Sequence, residues 1–271
     1  MIDTSLDQKY LQILIDRLEV CKQYKPRFGQ GGEGLSLDQF QVLYGSDPFY
    51  TWFGLDNPLL YAAHRAAGGI TSVYRQIGIG GEELFRQLIQ DHLGLTYEQS
   101  NWSYEITVGS GRNRILKLDG RIELEDVDDQ TRQEVIATWM KNAARQLDLD
   151  EHVANAMRGL VMEVRQGYKS KDSKRQNADM ANATAAYTKG YLPILVVLST
   201  QIDSDIVDRY ERGKWLVLQG SAVGDNIFST YAFTREIIGY DLAAFFQRNS
   251  ERLKIFVDDL LETLLRASDS G

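Results

Sequence analysis

Asp119 interrupts an alternating, strand-like stretch, Arg114-Ile115-Leu116-Lys117-Leu118-Asp119-Gly120-Arg121-Ile122-Glu123. A second, more apolar stretch carries another acid and a ladder of bases: Leu160-Val161-Met162-Glu163-Val164-Arg165-Gln166-Gly167-Tyr168-Lys169-Ser170-Lys171. Side chains alternate faces along a strand, so residues of equal parity share a face. Lys117, Asp119, Arg121 and Glu123 therefore fall together, opposite Leu116, Leu118, Ile122 and Leu124, and Glu163 shares a face with Arg165. If the two strands pair, Asp119 and Glu163 meet on one polar face. Carboxylate oxygens are hard ligands that suit Mg²⁺, which binds through one or two carboxylates plus substrate phosphate and keeps several waters. Such an ion makes its bound water a better nucleophile, and a nearby cation can neutralise charge building on the phosphate. The candidate cations are Arg165, Lys169 and Lys171; the two lysines keep the parity of Glu163 only if Gly167 does not break the strand.

The bases continue past this point. Between Glu163 and Arg175 five bases (Arg165, Lys169, Lys171, Lys174, Arg175) face two acids (Glu163, Asp172), within a chain of net charge −8. The charge is segregated, so an acidic protein can still present a basic surface to a polyanion. Lys171, Lys174 and Arg175 are candidate phosphate clamps, and Gln176 and Asn177 are candidates to reach base edges. Arg75-Gln76 is a second candidate clamp. Other chemistries find no pattern: His64, His92 and His152 are scattered, and no Gly-x-Ser-x-Gly elbow occurs. The one cysteine, Cys21, forms no disulfide within the chain and suits a reducing cytoplasm. The longest apolar run, Leu192–Leu198, is too short to cross a bilayer, and the start of the chain lacks the features of a signal peptide. The expectation is a cytoplasmic protein with no membrane partner.

The elements that must position these residues follow from periodicity. Leu11, Leu14, Ile15 and Leu18 predict a helix over 5–22, and Ser36 a helix cap after the glycine-rich break at 30–34. The aromatic segment 44–63 reads as core or interface. Ile77-Gly78-Ile79-Gly80-Gly81 reads as a turn opening a helix through Leu93, with Glu82 and Glu83 in its first turn. Strands are expected over 102–108 and 114–125 around a turn at 109–111, then helices over 129–147 and 151–157. The Glu163 strand follows, with a helix from Ser173 to near Lys189, strands over 191–199 and 215–219, and a long amphipathic helix over 240–266.

Asp119 followed by Glu163-Val164-Arg165, on a strand leading to a helix and another strand, resembles the PD-(D/E)xK nuclease superfamily, and within it a type II restriction endonuclease. The resemblance spans residues 80 to 200. It implies an α/β fold: a restriction-endonuclease-like core with a mixed β-sheet flanked by helices, plus N- and C-terminal helical segments. The expected division is a helical and aromatic segment 1–75, a nuclease core 76–205, and a C-terminal strand and helix 206–271. The resemblance further implies Mg²⁺ held by Asp119 and Glu163, with Arg165, Lys169 or Lys171 as catalytic cation. It also implies a homodimer that cuts both strands of double-stranded DNA at specific sequences, and Glu82 or Glu83 as a further acid. The chain departs from the family pattern in having Leu118 before Asp119, Arg165 where lysine is usual, and at least one helix between Asp119 and Glu163. Two alternatives stand beside it: a repair or recombination nuclease, and a non-catalytic module that binds nucleic acid or protein.

Overall fold

The computed structural model describes residues 4–29, 33–108, 112–168 and 173–266, without the side chains at 106–108, 112–114 and 173–175. The chain divides into two compact units, Met1–Gly80 with Gln247–Gly271, and Gly81–Phe246. The first unit is helical. Its periodic leucines form α1 (Thr4–Glu19), and a 3₁₀ turn Val20–Gln23 follows. Ser36 and Gln39 close a capping box on α2 (Leu37–Gly45), satisfying two amides that the helix start would otherwise leave open. Asp47 caps α3 (Pro48–Trp52), with Pro48 at the first helical position where no N–H is needed. Leu18, Cys21, Val73, Leu260 and Leu264 are buried together in this unit. The aromatic segment is split: Tyr61 is fully buried, while Phe49, Trp52 and Phe53 are exposed.

The glycines at 77–81 do not open a helix. They lie inside α4 (Pro58–Leu93), a continuous helix of 36 residues. Glycine costs about 1 kcal/mol in a helix interior, and close packing offsets that cost here. A Cβ on Gly81 would stand 2.7 Å from Leu198 Cδ1, and the next turns bury Leu84, Phe85, Leu88 and Ile89. Glu82 and Glu83 are therefore mid-helix residues.

The second unit is α/β. In chain order its elements are α5 (Tyr97–Ser100), β1 (Trp102–Val108), β2 (Arg112–Leu118), β3 (Gly120–Glu123), α6 (Gln130–Gln146), α7 (Glu151–Asn155), β4 (Gly159–Arg165), α8 (Ser173–Thr188), β5 (Tyr191–Val197), α9 (Ser204–Arg212), β6 (Leu216–Leu218), α10 (Thr230–Phe233) and the start of α11 (Leu242–Leu265). A π-helical turn, Thr234–Ile238, follows α10. A mixed sheet has the order β3-β4-β5-β6, with β3 antiparallel to β4 and the other pairs parallel. Parallel strands covered on both faces read as continuous apolar runs, which is why β4 and β5 are buried at every position. Leu160, Met162 and Val164 point into a core with α4 and α6. Val161, Leu195 and Val197 point into a second core with α8, α9 and the separate β1-β2 hairpin.

The stretch expected as one strand over 114–125 is two strands. Leu116 and Leu118 pack with Trp102 and Tyr104 in the hairpin, whereas Ile122 belongs to the opposite core. The chain changes sheets between them, at Asp119. The helices α9 and α10 were not expected from the sequence. Among the described residues no helix is long and apolar enough to cross a membrane.

Candidate functional site

The β3-β4 register pairs Gly120 with Met162 and Ile122 with Leu160. One step beyond that ladder, Asp119 is bonded to β4 at Met162 and Val164. The break in the strand fixes Asp119 through its backbone. Its N–H donates to the Met162 carbonyl at 2.8 Å, and its own carbonyl accepts from Arg86 Nε at 2.9 Å. Its carboxylate Oδ2 accepts from the Val164 N–H at 2.8 Å, so the side chain is aimed at the C-terminal end of β4.

Glu163 and Arg165 leave β4 on the face covered by α8, as their shared parity requires. Arg165 is the hub. Its Nη2 contacts Glu163 Oε1 directly and lies 3.8 Å from Asp179 Oδ2 on α8. Its Nη1 lies 3.8 Å from Asp119 Oδ2 and 4.0 Å from Glu82 Oε1 on α4. Four carboxylates from β4, α8, the strand break and α4 thus converge on one guanidinium. Glu163, Arg165 and Asp179 are buried, whereas the Glu82 side chain is 27% exposed and opens the cluster to solvent. The Nε of Arg165 is buried with no hydrogen-bond partner among the described residues.

Two tyrosine hydroxyls continue the network from Asp179. The Tyr210 hydroxyl on α9 donates to Asp179 Oδ2, and the Tyr168 hydroxyl lies 3.1 Å from that of Tyr210. Burial first, and then the Asp179 charge, push the Tyr210 phenol far above its ordinary value. It therefore remains a donor, because ionising it would place a second negative charge beside Asp179. Asn182, one turn further along α8, accepts from the Tyr104 hydroxyl at 2.9 Å.

Of the residues expected at the site, Asp119, Glu163 and Arg165 are brought together, and Glu82 joins them. Lys169 and Lys171 lie outside the described residues, and for Lys174 and Arg175 only the backbone, in the first turn of α8, is described. Gln176 is buried and accepts from Arg209 Nη1 at 2.6 Å, and Asn177 accepts from Arg209 Nη2 at 2.7 Å. Both amides are thus engaged by α9. Of the polar set that shares the parity of Asp119, Lys117 is exposed and Arg121 bonds the Gln99 carbonyl at 2.8 Å. Glu123 pairs with Arg158 at 3.0 Å and with Tyr191, at the far end of the ladder. Asp179 and Tyr210 were missed. The available signal was the polar stripe Gln176, Asp179 and Asn182, three residues apart on a helix whose neighbouring Ala183 and Ala186 are core.

The donor set can hold a hard divalent cation through Asp119 and Glu163, the two carboxylates that approach the Arg165 guanidinium from the strand break and from β4. Among the described residues no three His, Cys, Asp or Glu side chains stand close enough to share one ion. Two carboxylates are within what Mg²⁺ requires when waters and substrate phosphate complete its shell. Compared with protein-family models, with curated proteins and with solved structures, the chain matches none.

Proposed function

We propose that this protein is a Mg²⁺-dependent endonuclease, with a restriction-endonuclease-like core, that hydrolyses phosphodiester bonds of double-stranded DNA. The observation that carries the reading is the convergence of Asp119, Glu163, Glu82 and Asp179 on Arg165 at the end of β4. Carboxylate oxygens of this kind fit Mg²⁺, and Asp119 and Glu163 would hold it. The ion, when bound, supplies an acidified water and a positive charge at the scissile phosphate.

The rest falls to the protein. The Val164 amide keeps the Asp119 carboxylate pointing at the cluster, so its orientation does not depend on a mobile partner. Arg165 presents a planar fork suited to a phosphate but cannot release a proton in a protein. Its role is electrostatic, and proton transfer falls to a carboxylate. Glu82 is the most open of the four and takes that role. The Tyr210 hydroxyl holds Asp179, and through it the guanidinium, from behind.

Site-specific cutting by a homodimer, as in a type II restriction enzyme, belongs to the same proposal. Digestion of plasmid DNA by the purified protein with Mg²⁺ tests it. Discrete fragments are expected, and resection from ends or smearing would instead identify a repair or recombination nuclease. The direct contact between Arg165 and Glu163 favours a second reading, a purely structural ion-pair network in a binding module. Absence of any cleavage with Mg²⁺ or Mn²⁺ would establish that one.

A further inference from the structure

The helical unit carries a groove that the proposed chemistry does not use. It encloses about 1200 Å³ and is lined by five bases, Lys22, Lys25, Arg27, Arg65 and Arg75, against one acid, Glu33. The concentration does not follow from composition. Residues 1–80 contain seven bases and eight acids, and five of those seven bases line this one groove.

The arrangement is a row. Arg65, Gly68, Ser72 and Arg75 recur at intervals of three and four, so they form one stripe along α4. Ten residues of helix rise about 15 Å, which sets the axial separation of the two arginines. Between them the stripe is small: a Cβ on Gly68 would stand 1.9 Å from the Tyr24 hydroxyl, so only glycine allows the facing wall this close. Lys22, Lys25 and Arg27 come from that wall, the segment after α1. Lys22 is engaged by Asp259 at 2.9 Å and Glu19 at 3.2 Å. Lys25, Arg27 and Arg75 are exposed and have no carboxylate partner among the described residues.

We infer that this groove binds the phosphodiester backbone of a nucleic acid. A single phosphate or a small nucleotide would engage one end of a row of this length. Arg65 is buried and donates to the Arg266 carbonyl at 3.4 Å, so it forms the closed end of the groove and the phosphate contacts fall to Lys25, Arg27 and Arg75. Phosphates rise about 3.4 Å apart along each strand of duplex DNA, so a groove about 15 Å long accommodates about four. The volume also exceeds the roughly 300–1,000 Å³ usual for small-molecule pockets. A lipid surface is flat and would not enter a concave trough. The choice of DNA as the nucleic acid rests on the endonuclease reading; the groove itself lies outside the carboxylate cluster.

The test is binding of labelled duplex DNA by the full chain in chelator, where no metal-dependent cleavage occurs, followed by fluorescence anisotropy over a range of salt. Replacing Lys25, Arg27 and Arg75 together by Gln is expected to weaken binding at least tenfold at low salt. The slope of log affinity against log salt should fall by about 2.7, since each lost phosphate contact removes about 0.9. The charge-preserving set Lys25→Arg, Arg27→Lys and Arg75→Lys should keep the wild-type slope. As a second handle that removes no base, Glu33→Gln should tighten binding severalfold. Unchanged affinity and slope in the neutral triple variant, with wild-type circular dichroism, overturns the inference. So does binding to phosphatidylserine vesicles without binding to DNA. A Glu163→Gln protein that no longer cuts but still binds with the wild-type slope would separate failure at the cluster from failure at the groove.

Discussion

Replacing Arg165 by Met removes the charge at the hub while keeping most of its volume. The Arg165 and Glu163 side chains are 9% and 8% exposed, so their contact is shielded from water on both sides. At an effective dielectric near 20, each carboxylate at about 4 Å from the guanidinium contributes about 4 kcal/mol of attraction. Repulsion among the carboxylates and the loss of hydration offset much of this. What remains on deletion is dominated by Glu163, whose only charged partner among the described residues is Arg165. Leaving one partner of a buried pair behind costs about 3–5 kcal/mol, a large part of the roughly 5–15 kcal/mol that holds a domain folded. Urea unfolding followed by tryptophan fluorescence reads this directly, because Trp139 and Trp215 are buried on opposite faces of the sheet. In chelator the Arg165→Met protein should lose about 3–5 kcal/mol. Adding Glu163→Gln should restore part of it, with a coupling of at least about 1 kcal/mol. Mg²⁺ at a hundred times its dissociation constant should recover about 2.7 kcal/mol in the single variant. A loss below about 1 kcal/mol, or strict additivity with Glu163→Gln, would refute the hub role of Arg165.

Two further outcomes follow from neighbouring groups. Tyr210→Phe removes the donor to Asp179 and should cost about 1.5–3 kcal/mol at neutral pH, the range for a hydrogen bond to a charged group. Because the folded state holds the Tyr210 proton, its contribution is present below the unfolded tyrosine value of about 10 and is lost as pH rises above it. Denaturant midpoints should therefore fall above that pH, and less steeply in Tyr210→Phe than in wild type; equal slopes would count against a protonated Tyr210. Gly159→Ala places a Cβ 2.1 Å from the Ile122 carbonyl oxygen and 3.1 Å from Glu123 Cα, both backbone atoms that cannot swing aside. It should cost about 3 kcal/mol as β3 lifts from β4, and an unchanged melting temperature would contradict the pairing.

The parts of this molecule legible in its sequence are those set by local pattern. The apolar runs of β4 and β5 and the cap Ser36 state their structure within a few residues. The face shared by Glu163 and Arg165 was likewise readable, because parity within one strand is a local property. What depends on the tertiary dock was not. Alternation cannot reveal a strand that changes sheets, so the break at Asp119 was invisible. The glycines at 78, 80 and 81 look like a turn until Leu198 is seen packed against Gly81. Asp179 lies fourteen residues beyond Arg165 in an Ala/Asn-rich helix, and nothing in its own neighbourhood says that α8 folds back over β4. The sequence names Glu82, beside Glu83, as a further acid only through the resemblance and places it in a first helical turn; it is found near the guanidinium from mid-helix.

Conversion of supercoiled plasmid to nicked and linear forms, with Mg²⁺ and with chelator, tests the proposed chemistry most directly. Wild-type protein should cut only with the metal, and Asp119→Asn and Glu163→Gln should each lower the rate by at least a hundredfold while remaining folded. Cleavage at wild-type rates by both variants, or none by the wild-type protein with any divalent cation, would contradict the assignment of this cluster as a nuclease centre.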